Sequence, residues 1–426
     1  MTGRLAQLIP AILVSLLVAS CVVNPVTGDR ELGLVSERDE IAIGNQQYAP
    51  LKQMQGGEYA LDPELIDYVD QVGQRVAAES PRPDFPWEFT VINSSVPNAW
   101  ALPGGKIAVN RGLLTEFDSE AELAAVLGHE VVHAAARHGA QRMERQLVLQ
   151  LGLLAIAATT SDSRYANTIV GSAAVGALLI SQRYSREAEL EADRYGTEYM
   201  AQAGYHPMAA AELMETFVRL SEQREQHWLD GMFASHPPSR ERLEANRETA
   251  ERLGSEGEWG RERFRAATGD LERRAPAYAH HDRARTALRE GDHEAALQAL
   301  EKALEIESEE ARFHALRGEI RQAQGDLQRA VSDYLQAIEY EPDYFQHHLQ
   351  AGLVLETRGD YHDARKHLER SLELLPTAPA HLSLGDIERR EGNRDKAIDH
   401  YRTAASSDSE AGRTARSRLE EMGAET

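Results

Sequence analysis

Glu120-Ala121-Glu122-Leu123-Ala124-Ala125-Val126-Leu127-Gly128-His129-Glu130-Val131-Val132-His133-Ala134-Ala135-Ala136 decides how the first half of this 426-residue chain is read. Ser119 followed by Glu122 forms the sequence pattern of a capping box, which starts a helix by satisfying its free amide groups. Leu123, Val126, Leu127, Val131 and Ala134 then recur at helical spacing and give the helix a buried face. Positions four apart lie on one face, so His129 and His133 present two imidazoles to a single ion. Glu130 lies beside them, placed to take a proton from an attacking water rather than to bind the ion. Gly139 reads as the terminator of this helix. His138 stands five residues past His133, about 140° further round, and reads as a partner of the helix C-terminus rather than as a ligand.

Two histidines leave a metal shell incomplete. The only cysteine is Cys21, so a cysteine-based structural site is excluded and a third ligand must be His, Asp or Glu. A second helix is signalled by Ser185 at its start and Gly204 at its end. Within it Glu189 and Asp193 share one face, while Glu187 and Glu191 share another. Spacing alone leaves open which pair faces the metal.

Together these segments resemble the zinc metallopeptidase family that includes HtpX, the CAAX prenyl proteases and the periplasmic proteases BepA and LoiP. The resemblance rests on His129–His133, on Glu189-Leu190-Glu191-Ala192-Asp193, and on two further stretches. Asn98-Ala99-Trp100-Ala101-Leu102-Pro103-Gly104-Gly105-Lys106-Ile107 is similar to the strand and turn above the family's metal. Ser235-His236-Pro237-Pro238-Ser239-Arg240-Glu241-Arg242 is similar to its late His-Pro motif. The resemblance implies one zinc ion per chain held by His129, His133 and Glu189, with Glu130 as general base and Asp193 orienting the ligands. It implies oxyanion support from Arg242 or His236, and an edge strand at Asn98, Ala99, Trp100 and Ala101 that adds an extended peptide substrate. Trp100 reads equally well as a core aromatic. In some relatives the residue matching His236 is a fourth ligand that keeps the enzyme latent; the alternatives are a donor to the transition state or a turn residue.

Arg4 followed by the apolar run Leu8 to Ala19 reads as a secretory signal, and Val18-Ala19-Ser20-Cys21 resembles a bacterial lipoprotein box. Cys21 is then the lipidated residue of a periplasmic protein anchored to the outer membrane, with residues 21–32 as a flexible tether. The apolar runs Leu147 to Ala158 and Ile169 to Ile180 are each too short to span a bilayer and read as a buried helical hairpin. Elsewhere, Ser36 with Asp39 and Asp62-Pro63 open helices, Trp87 to Ile92 alternates as a strand, and Pro207 starts another helix.

The second half repeats. Gly291-Asp292, Gly325-Asp326, Gly359-Asp360 and Gly392-Asn393 recur every 34, 34 and 33 residues. Five positions after each Gly stand Ala296, Ala330, Ala364 and Ala397, and seven before stand Ala284, Gly318, Gly352 and Gly385. Small residues at fixed positions of paired helices make this the tetratricopeptide pattern, in four units. Such an array presents a concave groove for a peptide or protein.

A net charge of −23 argues against nucleic acid as a partner. The expected architecture is mostly α: a signal peptide at 1–20, the tether at 21–32, a gluzincin-type metallopeptidase domain with a small sheet at 33–265, and an α-solenoid of repeats at 275–420. The expected function is proteolysis of misassembled or unfolded envelope proteins docked on the repeats, with the outer-membrane assembly machinery as a further partner. The competing expectation is an assembly chaperone with latent proteolysis.

Overall fold

The structure is a computed structural model that describes residues 21–147, 183–223 and 232–425. The signal segment and most of the apolar 147–180 stretch lie outside the described residues. The chain divides into two compact units, residues 1–269 and 270–426. Among the described residues no helix is long and apolar enough to cross a membrane.

The first unit opens with a hairpin where the sequence suggested a tether. Strands β1 (Cys21–Val23) and β2 (Arg30–Leu32) pair antiparallel. Asn24, almost fully buried, turns the chain between them by accepting hydrogen bonds from the amides of Val26 and Thr27. The helix Glu37–Gln55 follows, closed at its start by the reciprocal Ser36–Asp39 capping box. The helix Pro63–Ala77, capped by Asp62, packs on the sheet, where Gly73 lies against the Phe89 ring.

The sheet is three-stranded, in the order β3 (Glu88–Ile92), β5 (Lys106–Asn110), β4 (Ala99–Leu102). β3 runs parallel to β5 and β4 antiparallel to it, with Phe89 opposite Ile107 and Trp100 opposite Ala108. Among the described residues β4 is therefore an edge strand. All four of its residues are nonetheless buried.

The helix Glu120–Ala135 carries the Ser119–Glu122 capping box and is buried on every face, not on one. A helix surrounded in this way is the centre of its domain. It stops at Ala135, earlier than the sequence suggested, because Arg137 adopts the left-handed conformation at φ +63°. For a residue with a side chain this is strained, and surrounding contacts must hold it. Here the Arg137 guanidinium donates to buried Glu40 and to the Val35 carbonyl. Gly139, expected to end the helix, instead lies inside the next one, helical from 138 to 147, where it passes close to the Pro103 ring.

The helix Arg186–Gln202, capped by Ser185, crosses the central helix at Gly128 and Gly196. A Cβ on Gly196 would stand 2.7 Å from the His129 amide nitrogen, so only glycine permits the contact. Helices Met208–Gln223 and Arg240–Leu253 complete this side of the unit.

The second unit is the repeat array. The turns at Gly291, Gly325, Gly359 and Gly392 each take positive φ. They join Arg261–Arg289 to His293–Ile306, Ala311–Ala323 to Leu327–Tyr340, Phe345–Arg358 to Tyr361–Leu374, and Ala378–Arg390 to Arg394–Ala405. Ala296, Ala330, Ala364 and Ala397 are completely buried. Gly318 and Gly385 lie against the rings of Tyr334 and Tyr401, and Gly352 against Leu368. A helix the repeat count did not anticipate, Glu410–Glu421, covers the last pair with Ala415 and Leu419. Solenoids need such a terminal cap to seal their final apolar face.

Candidate metal centre

The crossing of the two helices at Gly128 and Gly196 sets the site. Gly196 is two turns beyond Glu189 on the same face, so the contact turns Glu189 and Asp193 toward the histidine helix. The loop ahead of the helix Arg240–Leu253 brings in His236.

Four buried side chains converge: His129, His133, Glu189 and His236, each offering one donor atom within 4.8 Å of the others. His129 Nε2 lies 3.0 Å from His133 Nε2 and 3.2 Å from His236 Nδ1. Glu189 Oε1 lies 2.9 Å from His236 Nδ1 and 3.4 Å from His133 Nε2. Tetrahedral zinc with bonds of about 2.0–2.1 Å spaces its ligand atoms by about 3.3 Å. Three imidazoles and one carboxylate at these separations fit that ion, and three ring nitrogens meeting at one point have lone pairs that shared protons alone do not satisfy. Burial pushes His133 well below its ordinary pKa and leaves it neutral, the form that ligates. Burial would raise the Glu189 carboxyl, but His236, His133 and His129 outweigh it and the net shift is downward.

The ligands are held from behind. His129 Nδ1 meets Asp193 Oδ1 at 2.9 Å, and Asp193 is gripped by Arg242 through Nε and Nη2, both at 2.7 Å. Burial would raise the Asp193 carboxyl, yet the Arg242 guanidinium holds it below its usual value. Arg242 Nη1 reaches Glu189 Oε2 at 2.7 Å and the Pro237 carbonyl at 3.1 Å. All three guanidinium nitrogens thus face the ligand cluster's supports. Arg242 thereby holds both a candidate ligand and the residue behind His129 in place.

Glu130 is fully buried, and neither carboxylate oxygen has a hydrogen-bond partner among the described residues. Burial raises its pKa, with His236 Nε2 3.6 Å away opposing the shift. An acceptor kept dry and without a hydrogen bond beside the cluster is suited to receiving a proton. Trp100 belongs to the core, edge-on to Tyr48 and packed with Leu51, Ile92 and Leu102. Asn98 lies just before β4, its carbonyl bonded to the Asn110 amide.

One residue escaped the sequence reading, and two that it named stand elsewhere than it expected. Tyr184 stacks on His133 with ring centroids 3.8 Å apart, and burial lifts its hydroxyl to a pKa of about 12. His138 does not point away: the break at Arg137 resets the helix, and His138 Nδ1 meets His133 Nδ1 at 2.8 Å. Glu191, from the pair set aside above, lies 3.4 Å from His138 Nε2. Only an aromatic residue ahead of the Ser185 cap and a third nearby histidine could have hinted at them.

Residues 63–250 match the family model described as Peptidase family M48, and residues 281–345 and 349–412 match that of the tetratricopeptide repeat. The chain is 37% identical over 169 residues to the mitochondrial metalloendopeptidase OMA1 of Arabidopsis thaliana, covering 39% of this chain and 32% of the relative. To OMA1 of Schizosaccharomyces pombe it is 37% identical over 178 residues, 41% of this chain and 50% of the relative. To the beta-barrel assembly-enhancing protease of Escherichia coli (strain K12) it is 27% identical over 216 residues, 48% and 42% respectively. The match thus spans half or less of each of these relatives.

Proposed function

We propose, from the premise that this chain is a Peptidase family M48 domain followed by tetratricopeptide repeats, that it is a zinc-dependent endopeptidase acting on misassembled or unfolded envelope proteins. The observation that carries this reading is the convergence of His129, His133 and Glu189 beside Glu130, whose carboxylate accepts no hydrogen bond from the described residues. Zinc held there would lower the pKa of a water to about 7 and polarise the scissile carbonyl. Glu130 takes the proton of the attacking water and delivers it to the leaving amine. Burial draws its carboxyl toward the protonated state, which favours acceptance of the proton. Asp193, gripped by Arg242, keeps His129 in the tautomer whose Nε2 is free.

A substrate strand laid along Asn98 to Ala101 is part of this reading, supported by the edge position of β4. Docking on the repeats, and contact there with the outer-membrane assembly machinery, are suggested by the relatives named for beta-barrel assembly. Lipidation of Cys21, and with it periplasmic residence at the outer membrane, rests on the lipoprotein-box resemblance.

A latent state is favoured by one specific observation. His236 supplies a fourth donor at 3.2 Å from His129 and 2.9 Å from Glu189, and a closed shell has no place for a reactant. An assembly chaperone that works through the repeats is the corresponding second reading.

The test is zinc content and cleavage of an unfolded model protein, compared between the chain and Glu130→Gln. Bound zinc in both, with cleavage lost in the variant by about 10²–10⁴-fold, is the expected result. A folded, zinc-supplemented protein that retains no metal refutes the reading. Envelope assembly that survives Glu130→Gln in cells favours the chaperone.

A further inference from the structure

This inference rests on the metallopeptidase reading and concerns how the site keeps its metal. Each of the two helix histidines has its own support. His129 leans on Asp193, which Arg242 grips. His133 leans on His138 at 2.8 Å, and His138 on Glu191 at 3.4 Å. With His133 Nε2 turned to the other donors, its Nδ1 carries the proton and donates to His138 Nδ1. That leaves the proton of His138 on Nε2, which faces Glu191 Oε1 at 3.4 Å. A single set of tautomers therefore satisfies the whole chain of contacts.

The second arm does not end at Glu191. Asn24 Nδ2, buried in the turn of the β1–β2 hairpin, reaches Glu191 Oε1 at 3.5 Å and Glu31 Oε1 at 2.9 Å. Glu31 Oε2 accepts from Gln141 Nε2 at 2.5 Å. Gln141 Nε2 also donates to the Ala136 carbonyl at 2.9 Å, at the helix break immediately ahead of His138. These contacts run from the hairpin to His138 on two sides, to its side chain through Glu191 and to the backbone just ahead of it through Gln141. The segment after the hairpin is fixed on the same helix, with the Val35 amide donating to Glu144 at 2.9 Å and the Val35 carbonyl accepting from Arg137.

We propose that His138 and Glu191 are positioning residues for His133, and that the hairpin 21–32, through Asn24, holds this arm in place, so that its seating sets how firmly the site retains zinc. A hairpin that merely covered the domain would add to fold stability without touching metal affinity. Here it fixes the orientation of a ligand through two intermediates, and supports of this kind are worth about 10–100-fold in metal affinity.

The experiment measures zinc affinity by competition with a fluorescent chelator, on the full chain purified in detergent and carrying Glu130→Gln so that cleavage plays no part. His138→Ala lowers affinity by about 10–100-fold. His138→Asn, whose amide both accepts from His133 and donates toward Glu191, recovers part of the loss. Asn24→Ala lowers affinity by about two- to tenfold, the worth of one hydrogen bond, and has no further effect when His138 is already Ala. Glu191→Gln, at a half-buried position, provides the same test if His138→Ala does not fold. If the parent holds zinc and His138→Ala or Glu191→Gln holds it equally, the arm is refuted while the metallopeptidase reading stands. An Asn24→Ala effect of the same size in both backgrounds refutes the hairpin's link to the arm. A parent that binds no zinc overturns both this inference and the reading beneath it.

Discussion

Gly196→Ala tests whether the site is made by the crossing of two helices rather than by its ligands alone. The added Cβ would stand 2.7 Å from the His129 amide nitrogen and 2.8 Å from the Gly128 carbonyl carbon. Both are backbone atoms of a fully buried helix, so no side chain can swing aside. Restoring ordinary contact requires the helices to part by about 0.7 Å. Overpacking of this kind costs about 1–3 kcal/mol, which for a unit of this size lowers the melting temperature by about 3–10 °C. The parting also draws Glu189 away from His129 and His133, since it lies two turns from Gly196 on the same rigid helix. A displacement near 1 Å at a catalytic constellation costs about 10²-fold in rate, so cleavage should fall by about 10–100-fold. The assay is a thermal melt of the metal-free protein beside single-turnover cleavage of the zinc-loaded protein. An Ala variant with unchanged melting temperature and unchanged cleavage would refute the argument, because the close approach would then not constrain the site.

Three further outcomes are expected. His236→Ala raises cleavage of an unfolded protein if His236 closes the shell, and lowers it if His236 donates to the transition state; unchanged cleavage removes both roles. Asp193→Asn destabilises the metal-free fold by about 3–5 kcal/mol at pH 7, the cost of leaving buried Arg242 without its main partner. The folded-state pKa of Asp193 is depressed, so its contribution is complete above the unfolded value of about 3.9 and is lost as pH falls through the folded value. Urea unfolding across pH should therefore show the gap between the two proteins closing only under acid conditions; a gap independent of pH would contradict the assignment. In the repeats, Gly352→Ala places a Cβ 2.6 Å from Leu368 Cγ and should cost about 1–3 kcal/mol by urea denaturation, whereas equal stability would mean that Leu368 moves freely.

What the sequence by itself determined is what short-range chemistry determines. The capping boxes at Ser36 and Ser119, the Asp62-Pro63 start and the Ser185 cap each join residues at most four apart, and the helices begin where those pairs place them. The repeats were legible because one local unit, a tight glycine turn between two helices with small residues at their contact, recurs at a fixed period. Tertiary structure decided everything whose partner is remote. The central helix ends at Ala135 because Arg137 is anchored to Glu40, 97 residues away, and that early end brings His138 back to His133. Spacing could not choose between the two acidic pairs of the helix Arg186–Gln202. The Gly128–Gly196 crossing turns Glu189 and Asp193 to the donor cluster and leaves Glu191 at its side, against His138 and Asn24. Residues 21–32 look like a tether because their order comes from Glu191 and Gln141, more than a hundred residues along the chain. Contacts of that separation form only once the core has fixed the chain's path, and no local pattern encodes them.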